Sequence, residues 1–358
     1  MIFSFRHRIC CVTVSVMLAC TCCSPAAELS SAETTSSASV FEPRASAESA
    51  FSAPVSSVGV SSAGATFVET PSAEPFSDTA EPDEIRVFLS ADEVRSGEAI
   101  VLRMEGYDGE LSRLRVYYSK TSSRKYPLFA GNGFAFAIVP VNSTASGLGA
   151  LTVADTETGE TLFSRKVTLL PRSYERQDLT VAPGSSMETS GSSQNLDSDK
   201  AVIRQVTSSS AQKLLFSGSF VMPVSGRIST QYGQRRYTNG KYTSAHSGYD
   251  IAAAEGTPVV AAGSGTVVYS GELKFYGKTV IIDHGLGIYS YYNHMSETVV
   301  GDNQPIETGQ PIGEVGSTGY STGPHLHFNV SVGGTNVDPE LFMSGDSIYQ
   351  QLERMISQ

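Results

Sequence analysis

The sequence predicts an all-β fold, and three observations support that class. Short runs of β-branched and aromatic residues recur throughout residues 84–181 and 220–345. Turn-forming strings such as Gly131-Asn132-Gly133 and Gly263-Ser264-Gly265 separate these runs. The length of 358 residues leaves room for two or three domains. We therefore expect a C-terminal antiparallel β domain with a groove, preceded by a smaller immunoglobulin-like β-sandwich domain and a disordered tether.

The first 23 residues predict an export signal. Arg6 and Arg8 give a positive start, residues 9–19 form a short apolar run, and small residues follow. All five cysteines lie in this stretch, so the exported body would contain neither disulfides nor thiolate ligands. The string Leu18-Ala19-Cys20 also resembles the lipid-attachment site of bacterial lipoproteins. Lipidation at Cys20 and ordinary cleavage both stay open, with an uncleaved anchor as a third alternative, and we expect a location in the cell envelope.

Composition divides the rest of the chain. Residues 24–83 consist mainly of Ser, Ala, Thr, Glu and Pro and predict a disordered linker, because they cannot bury enough apolar surface to offset chain entropy. Residues 84–181 contain no histidine and predict a β-sandwich with a structural or recognition role. Residues 182–219 are rich in Ser, Gly and Asp and predict a second linker. Residues 220–345 contain strand and turn signals and five of the six histidines and predict the C-terminal domain, and the tail 346–358 predicts a short helix.

The strands of the sandwich are predicted from six runs. They are residues 84–89, 99–104, 114–118, 135–139, 151–154 and 164–170.

The net charge of −11 argues against a nucleic-acid partner. Such partners need a basic patch, and the Arg235-Arg236 pair is the one short basic string that stands out. Solubility is a sufficient explanation of the acidity.

The chain has six histidines, five of them in its last third. In Gly323-Pro324-His325-Leu326-His327-Phe328, strand alternation places His325 and His327 on one face and turns Leu326 and Phe328 to a core. Two histidines do not complete a zinc site, which needs three or four ligands. His246 and Asp250, four residues apart, offer the nitrogen and oxygen that suit zinc or a similar divalent ion. Taken alone, that pair is better explained as a chance spacing or a salt bridge, because two residues at one spacing are a weak pattern.

Alternation in residues 288–294 makes a further prediction. It places Ile288, Ser290, Tyr292 and His294 on one face and Tyr289, Tyr291 and Asn293 on the other. His284 lies in a tight turn after Asp283, where we expect a structural role.

Several of these strings together resemble a known family. They are His246-x-x-x-Asp250, Tyr291-Tyr292-Asn293-His294, Gly316-Ser317-Thr318-Gly319 and the string from Gly323 to Phe328. The set resembles the M23 (lysostaphin-type, LytM-like) zinc endopeptidases that cut peptidoglycan peptides, nearly continuously over residues 220–342. Asn293-His294-Met295 replaces the commoner Ala-His-Leu. Residues 174–181 are similar to the end of the β domain that precedes the peptidase in some members.

The resemblance implies one zinc ion per peptidase domain, held by His246, Asp250 and His327. It also implies that His325 and His294 are catalytic. With three protein ligands, zinc would keep an open position for water. We expect His325 to act as general base, and His294 to stabilise the oxyanion or to assist proton transfer to the leaving amine.

Two functions of different classes follow from the sequence. The first is a zinc-dependent endopeptidase that hydrolyses peptide cross-links or stem peptides of bacterial peptidoglycan in cell wall remodelling. The second is a noncatalytic wall-binding module or an activator of a wall amidase. The complete set of five side chains favours the enzyme.

Overall fold

The computed structural model describes residues 84–119 and 124–356. The export signal predicted for residues 1–23, the possible lipidation at Cys20 and the tether predicted for residues 24–83 lie outside the described residues. The described part belongs to one compact unit, Pro75–Gln358.

Residues 86–170 form two β-sheets around one core. One sheet has the strand order β1-β3-β7-β6 and the other the order β2-β9-β8-β4-β5. A single turn of 3-10 helix at Leu111–Arg113 precedes β4. The strands are β1 (Arg86–Leu89), β2 (Glu93–Arg95), β3 (Ala99–Glu105), β4 (Leu114–Tyr118), β5 (Tyr126–Pro127), β6 (Phe129–Ala130), β7 (Ala135–Pro140), β8 (Gly147–Asp155) and β9 (Thr161–Leu170).

The apolar sequence of β3 explains its position in the middle of this arrangement. Ile100, Leu102 and Met104 are buried in the core shared by the two sheets. Ala99 and Val101 point to the opposite face and join the core of the C-terminal domain. Burial on both faces requires a nearly continuous apolar run, which β3 provides. The upstream domain is therefore packed against the C-terminal domain.

The C-terminal part is also built mainly from strands. They are β10 (Arg176–Leu179), β11 (Arg227–Thr230), β12 (Arg235–Thr238), β13 (Lys241–Ala245), β14 (Tyr249–Ala252), β15 (Pro258–Val260), β16 (Gly265–Leu273), β17 (Gly277–Gly285), β18 (Ile288–Met295), β19 (Glu297–Thr298), β20 (Pro305–Ile306), β21 (Pro311–Glu314), β22 (His325–Val332) and β23 (Thr335–Val337).

The largest sheet has the order β11-β14-β22-β18-β17-β16-β20, with β23 paired to β22. All of the strand pairs in this sheet are antiparallel. Two smaller sheets have the orders β10-β12-β13 and β15-β21-β19. The all-β, antiparallel expectation for the C-terminal domain is thus confirmed. Parallel pairing occurs where β2 meets β9 and where β10 meets β12, and the local patterns of the sequence did not indicate it.

The two faces of the large sheet differ in chemistry. On one face, Leu326, Phe328 and Tyr292 are fully buried with Ile251 and Ile282 in the apolar core. On the other face, Asp250 and His327 lie next to each other, and Asn293 is opposite His327. Asp250, His327 and Asn293 are themselves buried, so other elements of the chain cover most of this face.

Residues 182–219, predicted as a linker, contain two helices, α1 (Ser186–Ser190) and α2 (Ser193–Val206). The hydroxyl of Ser192 caps α2 by accepting the N–H of Asn195 at 3.3 Å. Beyond α2, Ser210 and Ala211 bond the carboxylate of Asp283 at 2.6 and 3.0 Å. Short polar side chains, which predict a solvated linker, here cap α2 and bond the large sheet: Ser192 caps the helix, and Ser210 bonds Asp283.

Two helices follow the last strand. They are α3 (Glu340–Met343) and α4 (Ile348–Ile356), and α4 lies in the tail for which the sequence predicts a helix. Leu352 of α4 is fully buried in the core, and α4 packs against β3. None of the helices in the described part of the chain is both long and apolar enough to cross a membrane.

Candidate metal centre

The register of two strands brings the predicted ligands together. In the antiparallel pair of β14 and β22, Asp250 is directly opposite His327 and Ala252 is opposite His325. Opposite residues project from the same face of a sheet, with Cβ atoms about 5 Å apart. The methyl group of Ala252 leaves room for the imidazole of His325. The pairing therefore gathers one carboxylate and two imidazoles on one face.

His246 reaches the same place from the turn before β14. Its Nδ1–H donates to the carbonyl of Gln231 at 3.0 Å, which fixes the ring. Gly248, between His246 and Asp250, passes so close to β22 that a Cβ atom there would lie 2.1 Å from the carbonyl oxygen of Phe328. Glycine is therefore required at 248, because any side chain would force the His246 segment away from β22.

Three acceptor atoms converge where these residues meet. His246 Nε2 lies 2.9 Å from Asp250 Oδ1 and 3.0 Å from His327 Nδ1, and His327 Nδ1 lies 2.7 Å from Asp250 Oδ1. Because His246 donates from Nδ1, its Nε2 carries the lone pair in the neutral ring. His327 has its Nε2 3.1 Å from the hydroxyl of Ser247, so its Nδ1 can face the same point as an acceptor. Such a set attracts a cation.

These residues fit zinc in number, type and position. One carboxylate and two imidazoles with their other nitrogens occupied are a typical three-ligand set that leaves one position open. Tetrahedral ligands at zinc distances are about 3.3 Å apart, so outward shifts of a few tenths of an ångström would admit the ion.

Asp250 is ionised by its surroundings. Burial acts to raise its pKa, but the interactions with His246 and His327 outweigh burial and hold the pKa well below its usual value. Its second oxygen, Oδ2, accepts a hydrogen bond from Nη2 of Arg236 at 3.1 Å. Burial lowers the pKa of His327 to about 4, so this ring is neutral at neutral pH and is able to bind a metal.

His294 corrects one prediction made from alternation. Strict alternation would put it with Tyr292 on the core face, but its backbone is left-handed, with φ of 65°. This conformation, which is uncommon for residues other than glycine, turns the ring to the face of the metal ligands. The centroid of the His294 ring is 4.9 Å from that of His325 and 6.1 Å from that of His327.

The Nδ1–H group of His294 donates to the carbonyl of Thr318 at 2.8 Å, so Nε2 is the free nitrogen. Burial, followed by the neighbouring rings of His325 and His327, lowers the pKa of His294 to about 3. The ring is therefore neutral at neutral pH.

His325 lies at the open side of the cluster. Its Nδ1 donates to the carbonyl of Gly323 at 2.8 Å, and its Nε2 is 3.7 Å from Asp250 Oδ1. The side chain keeps 15% of its surface exposed, more than the metal-ligand candidates do. A free nitrogen with access to solvent, next to a metal position, is suited to accept a proton from water.

A groove of about 600 Å³ runs over these residues. Its lining includes the metal-ligand candidates with His294 and His325, together with Tyr276 and Tyr320. Gln177 of β10 and Leu196 and Lys200 of α2 also line it. Elements upstream of the C-terminal domain thus form part of its wall.

His284 lies outside this cluster. Its Nδ1 is 2.8 Å from the carbonyl of Ser264, and its Nε2 is 2.7 Å from the hydroxyl of Ser290. The hydroxyl of Tyr292 lies 3.1 Å from that of Ser290 and accepts the N–H of Ala262 at 2.7 Å. Burial lowers the pKa of His284 to about 4. This closed chain of hydrogen bonds agrees with a structural role.

Three groups that support the site had no role in the sequence-based prediction. They are Arg236 on Asp250, Ser247 on His327 and the backbone carbonyl of Thr318 on His294. The sequence contained a signal for two of them. Arg236 belongs to the only basic pair singled out above, and Thr318 lies in the Gly316-Ser317-Thr318-Gly319 string.

Comparison with known proteins agrees with this arrangement. Residues 244–339 match the family model described as Peptidase family M23. The DD-carboxypeptidase/endopeptidase Mpg of Neisseria meningitidis is 39% identical over 113 residues, which are 32% of this chain and 26% of that protein. The peptidoglycan DD-endopeptidase ShyA of Vibrio cholerae is 39% identical over 113 residues, 31% of this chain and 26% of that protein.

A third relative carries a different description. The lipoprotein NlpD/LppB homolog of Pseudomonas aeruginosa is 40% identical over 123 residues, 34% of this chain and 39% of that protein. The match to each of these relatives spans well under half of the relative's length. The matched region, residues 244–339, contains His246, Asp250, His294, His325 and His327, and this C-terminal domain of the chain belongs to peptidase family M23.

Proposed function

We propose that this protein is a zinc-dependent endopeptidase that hydrolyses peptide cross-links or stem peptides of bacterial peptidoglycan. The observation that carries the proposal is that two further imidazoles stand beside the three-acceptor set. His325 Nε2 is 3.7 Å from Asp250 Oδ1, and the His294 ring is next to that of His325. A site that only stored or sensed a metal would need the three ligands alone.

The residues divide the work by position. His246 Nε2, Asp250 Oδ1 and His327 Nδ1 would hold the zinc ion, and the ion would polarise the scissile carbonyl and make a water molecule more acidic. His325 is the general base, because its free Nε2 lies nearest to the open side and its Nδ1–H is fixed by Gly323. His294, fixed by Thr318, lies beside His325, with 4.9 Å between the two ring centroids. Because its Nδ1–H is donated to Thr318, its Nε2 first takes up a proton, the one that His325 removes from water. It then stabilises the developing oxyanion or passes that proton to the leaving amine.

The names of two relatives support a choice of bond. Mpg is described as a DD-carboxypeptidase/endopeptidase and ShyA as a peptidoglycan DD-endopeptidase. We propose the cross-link between D-alanine and a diamino acid as the favoured bond, in preference to a glycine bridge. A place of action in the cell envelope agrees with the predicted export signal. A Cys20→Ala variant tests the tether: release from the membrane fraction supports lipidation at Cys20, and an unchanged distribution rules it out.

Zinc content and hydrolysis together test the function. The purified chain is expected to hold one zinc ion and to release soluble muropeptides from isolated peptidoglycan in a chelator-sensitive reaction. The His325→Ala variant, with zinc still bound, controls for contaminating hydrolases. Intact peptidoglycan after incubation with the zinc-loaded wild-type chain would rule out the enzyme.

That negative result would lead to the second candidate, a noncatalytic wall-binding module or an activator of a wall amidase. Similarity to the lipoprotein NlpD/LppB homolog, whose description names no enzymatic activity, supports this second candidate. Addition of the chain to a purified wall amidase would then raise the amidase rate.

A further inference from the structure

Two elements upstream of the family-matched region reach the candidate metal centre. β10 and α2 lie between residues 176 and 206, whereas the match begins at residue 244. Both line the same groove as His246 and His327. Their contacts with the site are made by two different side chains at two different places.

The first contact leads from β10 to the metal-ligating carboxylate. β10 pairs in parallel with β12, and this register puts Gln177 next to Arg236. Gln177 Oε1 accepts a hydrogen bond from Arg236 Nε at 2.9 Å, and its Nε2 donates to the hydroxyl of Thr230 at 2.8 Å. Arg236 Nη2 donates to Asp250 Oδ2 at 3.1 Å. Gln177 therefore fixes the guanidinium that leaves Asp250 Oδ1 turned towards the histidines.

The second contact leads from α2 to His294. The carboxylate of Asp199 is buried and accepts the backbone N–H groups of Lys274, Phe275 and Tyr276 at 3.1, 2.6 and 3.3 Å. The carbonyl of Tyr276 in turn accepts the backbone N–H of His294 at 2.9 Å. Asp199 therefore fixes the turn that holds His294 in its left-handed conformation.

We propose that residues 176–206 are a built-in part of the catalytic site, in which Gln177 positions Asp250 through Arg236 and Asp199 positions His294 through the 274–276 turn. This inference rests on the proposed function. The alternative is that the same segment blocks the groove. β10 and α2 form walls of a groove that stays open over His325, so removing their anchors loosens the site.

Metal affinity tests the first contact without any turnover. In the full chain, Gln177→Ala is expected to weaken zinc binding at least tenfold in competition with a chromophoric chelator, as loss of outer partners of metal ligands commonly does. Asp178→Asn is the matched control, because its carboxylate is exposed on the same strand and pairs with Arg176. Equal zinc affinity of the Gln177→Ala and Asp178→Asn variants would overturn this half of the proposal.

Hydrogen exchange and kinetics test the second contact. Asp199→Ala is expected to speed deuterium uptake at residues 274–276 and at the His294 amide. It is also expected to lower kcat about tenfold or more, with KM and zinc affinity little changed, because His294 is not a ligand. Asp197→Ala is the control, since Asp197 is exposed on the same helix. Asp199→Asn should give an intermediate kcat, because its amide oxygen still accepts hydrogen bonds.

Two results would overturn the role of α2. One is a rise in rate for Asp199→Ala, the effect of loosening a cover, and the other is uptake at His294 equal to that of the control. If the wild-type chain binds zinc but cleaves no peptidoglycan, the proposed function fails. The zinc affinities and the deuterium uptake still decide the positioning roles.

Discussion

His294 and His325 are fixed in the same way from two separate loops. Each ring donates its Nδ1–H to a backbone carbonyl, that of Thr318 or that of Gly323, at 2.8 Å. The ring centroids are 4.9 Å apart, so two rings, each with a free Nε2, stand side by side next to the three-acceptor set. Backbone carbonyls only accept, so each ring is held in one tautomer whatever its neighbours do. Ligation and proton transfer should therefore be separable by mutation.

His325→Ala is expected to keep zinc and lose hydrolysis, whereas His327→Ala is expected to lose both. Removal of a general base lowers kcat by roughly a hundredfold or more, and removal of one of three ligands leaves the ion weakly bound. Zinc stoichiometry and muropeptide release, measured on the same preparations, check this split. A fully active, zinc-loaded His325→Ala variant would show that another group is the base.

Metal removal is expected to destabilise the domain. An ion that binds the folded state alone stabilises it by about 4 kcal/mol when its free concentration is a thousand times the dissociation constant. The melting temperature of the wild-type chain should therefore fall on chelation and return with added zinc. The Asp250→Ala variant serves as control, since zinc should hardly change its melting temperature. A wild-type melting temperature that changes neither on chelation nor on addition of zinc would contradict the proposal that these residues bind the ion.

Gly248→Ala is expected to disrupt the ligand set from within the backbone. A methyl group there would meet the carbonyl of Phe328 at 2.1 Å, and backbone has no flexible end that can yield. We expect a loss of about 2 kcal/mol or more in the free energy of unfolding, together with weaker zinc binding. Gly301→Ala, where a Cβ would meet nothing within 4 Å, is the control. Equal behaviour of the two variants would mean that β22 moves freely away from β14.

The stability of the chain should fall on acidification because of His284. Its pKa is about 4 in the folded chain, against about 6.5 when unfolded. The unfolded chain therefore takes up a proton first as the pH falls, so the contribution is complete above about pH 6.5 and is lost between pH 6.5 and 4. The expected loss is about 2–3 kcal/mol by pH 4.5.

Urea unfolding at pH 7 and pH 4.5, with chelator present throughout, checks this prediction. The His284→Gln variant should be less stable at pH 7, because the hydrogen-bond chain through Ser290 is broken, but it should lose less on acidification. Equal losses for the wild type and the variant would assign the acid sensitivity to other groups.

Local patterns predicted the residues of the site better than its geometry. Alternation in β22 correctly put His325 and His327 on one face, because a regular strand keeps its period of two. The same rule failed for His294, because its left-handed backbone breaks that period. No feature of the local sequence indicates this conformation. A resemblance in motif indicated that His294 takes part, while only the structure shows how it reaches the site.

Contacts between segments far apart in the sequence account for the other differences between the sequence-based predictions and the structure. Gln177 and Arg236 are 59 residues apart, and their parallel pairing leaves no trace in the pattern of either strand. Asp199 sits among Ser, Asn and Asp residues, which usually indicate a solvated segment. Its burial depends on three N–H groups that belong to a turn about 75 residues further on.

The register of β14 against β22 has a consequence for assembly of the domain. A slip of one residue between these strands would move either Asp250 or His327 to the opposite face. Zinc would then find an incomplete ligand set, so only correctly aligned chains would bind it with high affinity. Zinc binding would thus stabilise selectively, during folding, the one strand register that also assembles the complete ligand set.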